Sequence, residues 1–218
     1  MYILLDIGGT KTRIAGSADL QTFSEPIIFD TPQKYEEGLV LIIEHARQIA
    51  GSDVIDALSL GLPGVIISAK KCVYDSNIPD WDERPIASDL QAALAGAVHL
   101  GNDTALVGLG ESVYGAGKGA STVVYMTVST GVNAARVVDG LLDTCMYGSE
   151  TGDQYIIVDG TPMQLGDLIS GKAISEKYGM HPRELGKESP VWEELARFTA
   201  FGLYNSILHW APARVVLG

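Results

Sequence analysis

Residues 1–15, MYILLDIGGTKTRIA, decide how the start of the chain folds. An apolar run ends at Asp6, two glycines and a Thr-Lys-Thr triplet follow, and apolar residues then resume, which predicts a buried strand, a tight turn and a second strand. The glycines permit positive φ angles and leave room for a ligand. The segment is either an ordinary hairpin or a turn whose N–H groups hold a phosphate with Thr10, Lys11 and Thr12, while Asp6 orients Mg²⁺.

The middle of the chain repeats this pattern. Residues 121–129 are strand-like, Thr130 and Gly131 form a turn, and residues 132–138 predict a second strand. The repeat lies at roughly half the chain length, and such internal repeats indicate a duplicated architecture. Two such turns facing one another across a cleft would grip a polyphosphate from both sides.

The remaining segments predict alternating strands and helices, followed by a helical region. In the first half we expect strands at 23–29, 56–62 and 97–103, a hairpin at 65–74, and helices at 35–50, at 88–94 and from 104 onwards. Thr31 and Pro32 are the expected cap and first turn of the helix at 35–50. In the second half we expect helices at 162–170, 172–178, 182–187 and 190–210, with Ser189 as the cap of the last, mostly buried helix, and a final strand at 214–218.

Composition narrows the class of protein. The 218 residues are 46% hydrophobic and 19% charged, which predicts a globular chain. The formal net charge of −12 disfavours binding to a nucleic-acid backbone. Cys72 and Cys145 are isolated, which predicts a reducing compartment and no zinc cluster. Asp6 interrupts the apolar start, so we expect no signal peptide. No stretch approaches the roughly 20 apolar residues of a membrane span, so we expect no span and a cytoplasmic location.

Five short motifs, in this order, resemble the ROK family of sugar kinases and repressors along essentially the whole chain. The motifs are Asp6–Thr12, Gly61–Gly64, Asn77–Trp81, Gly101–Asp103 and Ser129–Val132. The resemblance implies an α/β, actin-like ATPase (ribonuclease H-like) fold with two lobes around a cleft. The first lobe would comprise residues 1–104 and the second lobe residues 105–218. It also implies ATP and Mg²⁺ and phosphorylation of a hexose or N-acetylhexosamine hydroxyl. On other grounds, its charge and apolar surface, we expect a homodimer without nucleic-acid or membrane partners.

The resemblance also implies site residues. Asp103 matches the catalytic aspartate. Asp6 is the candidate carboxylate for Mg²⁺, directly or through water, because of its place at the end of the first strand. The residues that match sugar-binding positions are Gly64, Asn77, Asn102, Asp103 and Glu150, while Asp153, at the position of a sugar-contacting histidine, and Asp167, beside such a position, are further candidates. The residues that match the two phosphate loops are Gly8, Gly9, Thr10, Lys11, Thr12, Thr130 and Gly131.

Asp103 has a second interpretation when it is read without the family pattern. Asn-Asp-Thr before Ala-Leu-Val is good capping sequence, so Asp103 is then the N-cap of the following helix. With the family pattern, the interpretation as a general base is favoured, because a carboxylate at a strand end can accept the proton of an alcohol.

The sequence departs from the family pattern in four places. Asp153 replaces a histidine. Residues 155–162 stand in place of the cysteine-rich zinc motif, so no structural zinc is expected. Gly166 replaces a sugar-binding glutamate, and Asp167 lies beside it in the sequence. Asn133 replaces a glycine in the second phosphate loop. The sequence given also ends at residue 218, where the family's adenosine turn would begin, so the second lobe is expected to be incomplete at the C-terminus.

These departures motivate an alternative, a non-catalytic protein that binds a sugar or a nucleotide. Two other classes fit poorly. The repressor branch needs an N-terminal helix-turn-helix, which we do not expect in this acidic chain. A Rossmann or P-loop enzyme needs a helix after its glycine-rich turn, whereas a strand is predicted here.

Overall fold

The computed structural model describes residues 1–67, 72–74, 76, 78–143 and 149–218. The predicted sugar-site residue Asn77, the hairpin tip at 68–71 and Cys145 therefore lie outside the described residues. The chain forms two compact units, Met1–Leu106 and Val107–Gly218.

The first unit contains a five-stranded sheet, formed by β1 (Tyr2–Ile7), β2 (Lys11–Ser17), β3 (Ile27–Asp30), β4 (Ala57–Leu62) and β7 (Ala97–Asn102). The strand order is β3-β2-β1-β4-β7. β1 is antiparallel to β2 and parallel to β4, and β7 is parallel to β4. The carboxyl ends of three parallel strands, β1, β4 and β7, therefore meet at one edge of the sheet.

Helices and a small hairpin complete this unit. They are α1 (Tyr35–Ala50), the hairpin strands β5 (Val65–Ile67) and β6 (Cys72–Tyr74), a 3-10 turn (Pro79–Trp81), α2 (Ile86–Leu94) and the start of α3 (Asp103–Val113). The core is aliphatic. Its fully buried members include Ile3, Ile7, Ile14, Ile42, Leu58, Leu60 and Leu90.

The second unit contains a four-stranded sheet, formed by β8 (Thr122–Val128), β9 (Val132–Val138), β10 (Leu141–Leu142) and β13 (Arg214–Leu217). The strand order is β10-β9-β8-β13. β8 is antiparallel to β9 and parallel to β13. In each sheet the first strand of an antiparallel hairpin also pairs with a parallel strand on its other side, which confirms the repeat predicted from the sequence.

The rest of the second unit packs around a separate apolar core. It consists of a 3-10 turn (Thr151–Asp153), β11 (Tyr155–Val158), β12 (Thr161–Gln164), α4 (Leu165–Ile169), α5 (Gly171–Tyr178), a 3-10 turn (Pro182–Glu184) and α6 (Val191–Trp210). The core includes Leu165, Ile169, Ile174 and Phe198.

Residues 162–164 were predicted wrongly. Helix was expected from residue 162, but residues 155–164 form the antiparallel hairpin β11–β12, and helix begins at Leu165. The turn is Asp159–Gly160, and both residues have positive φ angles, 49° and 82°. Asp-Gly between β-branched residues is a hairpin signal, and it outweighs the helical tendency of the residues that follow.

Three predicted ends also differ. β3 begins at Ile27, after Pro26, which has no N–H for strand pairing. α1 begins at Tyr35 with Lys34 at its N-cap, so Thr31 and Pro32 do not cap it. In place of a helix over 182–187 there is only the short 3-10 turn at Pro182–Glu184.

The last helix is less buried than predicted. α6 begins at Val191, and of its apolar residues Leu195 and Phe198 are buried. Trp192 is 38% exposed and Ile207 is 43% exposed, and a row of further apolar side chains is also exposed. A helix that is apolar on several sides can therefore keep only one stripe in the core of its unit.

Candidate active site

The carboxyl edge of the first sheet gathers several predicted site residues. Asp6 of β1 pairs in register with Gly61 of β4, and Leu62 of β4 pairs with Asn102 of β7. Gly61 lies next to Asp103, because a Cβ built at this position would be 3.6 Å from the Asp103 Cα, an ordinary van der Waals contact. The parallel strands thus bring Asp6, the loop after β4 and Asp103 to one place.

Asn102 is the capping residue of α3. Its Oδ1 accepts a hydrogen bond from the backbone N–H of Ala105 at 3.0 Å, and its Nδ2 donates to the carbonyl of Gly64 at 3.1 Å. The first bond is the N-cap interaction that the sequence offered to Asp103 as an alternative role. Because Asn102 fulfils that role, the Asp103 carboxylate is not needed to start the helix. The second bond ties together two predicted sugar-site residues.

Asp103 stands half-buried at the first position of α3. Its Oδ1 accepts from the backbone N–H of Thr104 at 2.7 Å. Burial raises the pKa of the Asp103 carboxyl above its usual range, the Thr104 N–H lowers it, and the Asp6 carboxylate raises it further. A carboxyl with a raised pKa in a partly desolvated position is a stronger proton acceptor than an exposed one.

The Asp6 carboxylate forms an ion pair with a residue of the neighbouring strand β2. Its Oδ2 lies 2.8 Å from the Nη1 of Arg13, its register partner on β2, and both side chains are about half exposed. Within residues 1–67, 72–74, 76, 78–143 and 149–218, no three His, Cys, Asp or Glu side chains form a group that could hold a metal ion. A cation near Asp6 would therefore share this carboxylate with Arg13 and take most of its ligands from elsewhere.

The turn between β1 and β2 closes through a bond from the Gly8 N–H to the Lys11 carbonyl at 3.0 Å. Thr10 and Lys11 are exposed, and Lys11 pairs with Asp30 on β3. Thr12 is fully buried, and its hydroxyl bonds to that of Thr31 at 2.8 Å. The backbone, Thr10 and Lys11 therefore form the surface of this turn, and Thr12 supports it from inside.

The turn between β8 and β9 is held by α5. The Gly171 N–H donates to the Ser129 carbonyl at 2.7 Å, and the Lys172 N–H donates to the Thr130 carbonyl at 3.2 Å. Because the C=O and N–H of a trans peptide point in opposite directions, the N–H groups of Thr130 and Gly131 point away from α5. This second turn thus also exposes backbone donors.

Only some of the predicted sugar-site residues of the second unit lie close together. The Glu150 Oε2 accepts from the Asn133 Nδ2 at 3.3 Å, and Asp153 closes the same turn with its N–H on the Glu150 carbonyl. Gly166 packs against this turn, because a Cβ there would lie 3.4 Å from the Gly152 carbonyl oxygen. Asp167 is exposed on α4, and among the described residues no hydrogen bond joins it to Glu150 or Asp153.

A cavity of about 1060 Å³ opens beside the Thr130 turn within the second unit. Its walls are apolar side chains of α5, α6 and β13, and they include Trp192. Three cationic or ionisable side chains, Lys172, His181 and Arg183, also line it, and no Asp or Glu does among the residues that the structure describes. In a chain with a net charge of −12, a pocket without acidic groups favours an anionic ligand with a large apolar part.

The comparison with protein families decides the assignment. The sequence model of the ROK family matches residues 2–218, which is nearly the whole chain. This chain belongs to the ROK family. The resemblance stated from the five motifs is therefore confirmed.

Relatives of this ROK protein include kinases of several sugars. A putative fructokinase of Bacillus subtilis is 26% identical over 98% of this chain and 75% of its own length. The N-acetylgalactosamine kinase AgaK of a Shewanella species is 35% identical over 65% of this chain, and the aligned part is 46% of that relative. A solved ROK hexokinase from Thermus thermophilus superposes with a TM-score of 0.82 at 27% identity, over all of this chain and 80% of that one.

The likeness to ROK structures also establishes the fold class of this ROK protein as α/β with the actin-like ATPase fold. Among the helices that the structure describes, none is both long and apolar enough to cross a lipid bilayer.

Sequence reasoning missed several residues around the site. Arg13 pairs with Asp6, Asn133 holds Glu150, and the Thr31 and Gln33 side chains contact the first turn. Thr31 and Gln33 follow β3, so only the register of β3 against β2 reveals their position. No short motif in the sequence marks them.

Proposed function

We propose that this ROK protein transfers the γ-phosphoryl group of ATP to a hydroxyl of a hexose or an N-acetylhexosamine, with Asp103 as the general base. The observation that carries the proposal is the half-buried Asp103 carboxylate, with its raised pKa, beside the Asn102–Gly64 bond at the carboxyl edge of the sheet. The names of the three relatives described above, a putative fructokinase, an N-acetylgalactosamine kinase and a hexokinase, support the reaction class.

In the proposed step, the sugar hydroxyl oxygen attacks the γ-phosphorus and its proton passes to an Asp103 oxygen. The new O–P bond forms as the bond between the γ-phosphorus and the β–γ bridging oxygen breaks, and ADP leaves. Asp103 suits this task because its raised pKa favours proton uptake. Its Oδ1 is occupied by the Thr104 N–H, so Oδ2 is the oxygen that we assign to the proton.

We assign the sugar to residues of both units. Gly64, Asn102 and Asp103 would contact it from the first unit, together with Asn77. Glu150, Asp153 and Asp167 are the proposed contacts of the second unit. The Asn102 amide still has one proton and one lone pair for a sugar hydroxyl, since a side-chain amide offers two donors and two acceptor sites.

We assign the phosphates to the two turns. Gly8, Gly9, Thr10 and Lys11 would bind them in the first turn with backbone N–H groups and the Lys11 ammonium, with Thr12 as internal support. Thr130 and Gly131 offer the N–H groups of the second turn. The cavity beside Thr130 is proposed to take the nucleoside, because its walls are apolar and its charged groups are cationic.

The residues near the first turn fit a magnesium ion that is held mainly by phosphates and water. Mg²⁺ in such sites takes one or two protein carboxylates, and Asp6 is the carboxylate that would hold it here. When bound, Mg²⁺ neutralises charge on the transferring phosphates. Arg13 keeps the Asp6 carboxylate in place through their ion pair.

The cellular location, the oligomeric state and the partners of this protein are also proposals. We propose a cytoplasmic homodimer without a structural zinc, and without nucleic-acid or membrane partners, in keeping with the net charge of −12. Light scattering at several protein concentrations measures the oligomeric state, and a constant monomer mass would contradict the homodimer.

The test of the proposed function is ADP release from Mg·ATP with a panel of hexoses and N-acetylhexosamines. We expect sugar-dependent ADP release with at least one member of the panel, and calorimetric heat on addition of Mg·ATP alone. Heat and sugar-dependent thermal stabilisation without turnover would favour the non-catalytic alternative. No heat at millimolar nucleotide would overturn the role of both turns and of the cavity.

The pH dependence of the reaction follows from Asp103. Because the base must be ionised and its pKa is raised, we expect kcat/KM to fall as the pH drops through a value above the ordinary aspartate pKa of about 3.9. The measurement is a pH–rate profile, with circular dichroism over the same range to show that the protein stays folded. An acid limb at or below the ordinary value would contradict this role of Asp103.

Gly171 tests the support of the second turn. Its Cβ would lie 2.9 Å from the Ser129 carbonyl oxygen, so Gly171→Ala must push α5 and the Thr130 turn apart. We expect about a tenfold weaker affinity for Mg·ATP by calorimetry, since one well-placed bond to the turn is disturbed. Gly110→Ala is the control, because nothing lies within 4 Å of a Cβ there. Equal affinities of the two variants would show that α5 does not set the turn.

A further inference from the structure

Three consecutive backbone carbonyls of the turn between β1 and β2 accept hydrogen bonds from the short segment at residues 31–33. The Thr31 hydroxyl donates to the Gly8 carbonyl at 2.7 Å, and the Gln33 amide donates to the Gly9 carbonyl at 3.1 Å. The Thr31 N–H donates to the Thr10 carbonyl at 2.9 Å. All three carbonyls of the turn therefore face residues 31–33.

This arrangement fixes the direction of the turn's donors. In a trans peptide the N–H points opposite to the C=O of the same unit. The Gly8 carbonyl shares its peptide with the Gly9 N–H, and the Gly9 carbonyl shares its peptide with the Thr10 N–H. Both N–H groups must therefore point away from residues 31–33. In the described part of the chain, neither donates to a protein acceptor.

Two neighbouring backbone N–H groups that point to the same side form a concave site for an anion. The orientation is not a property of the two glycines alone, since glycine allows many directions of the peptide plane. The bonds from Thr31 and Gln33 select one of these directions. Preorganised donors also avoid the free-energy cost of ordering the loop when a ligand binds.

Residues 31–33 are themselves held in place. Thr31 is buried, and since its own proton goes to the Gly8 carbonyl, its oxygen accepts the proton of the Thr12 hydroxyl at 2.8 Å. The Trp81 Nε1 donates to the Pro32 carbonyl at 3.0 Å. The Gln33 amide also donates to the Thr31 carbonyl at 3.1 Å. The groups that donate to the turn are thus themselves held in place by hydrogen bonds.

We propose that Thr31 and Gln33 are positioning residues for the phosphate groups of the nucleotide. They act on the ligand through the peptide groups of Gly8 and Gly9 and do not touch it. This inference rests on the proposed function, because it assumes that the turn binds a phosphate. It predicts that loss of either side-chain donor weakens nucleotide binding and leaves the affinity for the sugar unchanged.

The test compares variants that remove one donor with little change in volume. Gln33→Met removes the amide at an exposed position, and Thr31→Val removes the buried hydroxyl. We expect KM for ATP and the dissociation constant for Mg·AMPPNP to rise about 3- to 10-fold in each variant, with KM for the sugar unchanged. Thr31→Ser keeps the hydroxyl and is expected to restore the wild-type KM for ATP. Gln21→Met, the same change at another exposed glutamine, is the matched control.

A spectroscopic measurement separates positioning from general damage. In the wild type we expect the amide resonances of Gly9 and Thr10 to shift when Mg·AMPPNP is added, and in Gln33→Met we expect a smaller shift of Thr10 at saturation. Wild-type binding with unchanged affinity and amide shifts in Gln33→Met would overturn the inference and leave the proposed function intact. A wild type that binds no Mg·AMPPNP would overturn both.

Discussion

Replacement of Asp103 by asparagine is expected to lower kcat by about 10²- to 10⁴-fold, the range typical of a lost general base. Asparagine keeps the volume of the side chain and an oxygen that can accept from the Thr104 N–H, but it cannot take a proton. KM for ATP and for the sugar should change little, because the two turns and the Asn102–Gly64 bond remain. Steady-state kinetics with the preferred sugar of the panel measure all three constants.

The same substitution should not destabilise the fold at neutral pH. The pKa of Asp103 is raised in the folded state, so its contribution to stability is fully present below the ordinary aspartate pKa and is lost as the pH rises through the raised value. Above the raised pKa the ionised carboxylate is therefore a cost to the fold, which asparagine removes. Thermal unfolding at pH 7 should give a Tm equal to or above that of the wild type.

Asp53→Asn is the matched control for this experiment. Asp53 lies in an exposed loop of the same unit, and no side-chain hydrogen bond or ion pair involves it in the described structure. The control should keep wild-type kcat and Tm. A wild-type kcat in Asp103→Asn would remove Asp103 from the mechanism, and a large fall in Tm would show that its role is structural.

The sequence predicted the parts of this fold that depend on local pattern. The two strand–turn–strand repeats, the helix at Tyr35–Ala50 and the final strand follow from the spacing of apolar residues. The failures have a local cause too. At Asp159–Gly160 the turn signal was overlooked, and at α6 the apolar residues exceed what one unit can cover, so periodicity alone overstated its burial.

The candidate site depends on contacts that local pattern cannot show. Asn102 and Asp103 are adjacent and both are capping residues by type, so only the coordinates assign the cap to Asn102. The ties from Thr31 and Gln33 to Gly8 and Gly9 join residues 23 and 24 positions apart, and they arise from strand register. Periodicity says which face of a strand is buried, but it does not fix which residues of a neighbouring strand lie opposite.

Trp81 is expected to be a large contributor to the stability of the first unit. It is only 2% exposed, and its ring meets that of Tyr35 edge-on at a centroid distance of 5.6 Å. Its Nε1 donates to the Pro32 carbonyl, which lies between the two residues that hold the first turn. On α1, Gly38 has no Cβ, and this leaves the space that the Trp81 ring occupies.

Trp81→Ala should therefore lower the free energy of unfolding by about 3–5 kcal/mol, the usual cost of truncating a buried Trp or Phe. The loss combines the transfer of the ring, the cavity left beside Tyr35 and Gly38, and an unpaired Pro32 carbonyl. Urea denaturation followed by circular dichroism measures it. Trp192→Ala is the control, because Trp192 is 38% exposed, and its loss should cost about 1 kcal/mol. Equal losses in the two variants would contradict the role of Trp81.

A double-mutant cycle tests whether the cost arises from the packing of Trp81 on Gly38. Alone, Gly38→Ala should destabilise the protein by about 1–3 kcal/mol, because its Cβ would overlap the ring. In the Trp81→Ala background the same methyl group enters the cavity, and alanine is favoured over glycine in a helix by about 1 kcal/mol. Gly38→Ala should then be neutral or stabilising, so the two substitutions are non-additive, as expected for residues in direct contact. Additive losses would show that the ring and α1 do not depend on each other.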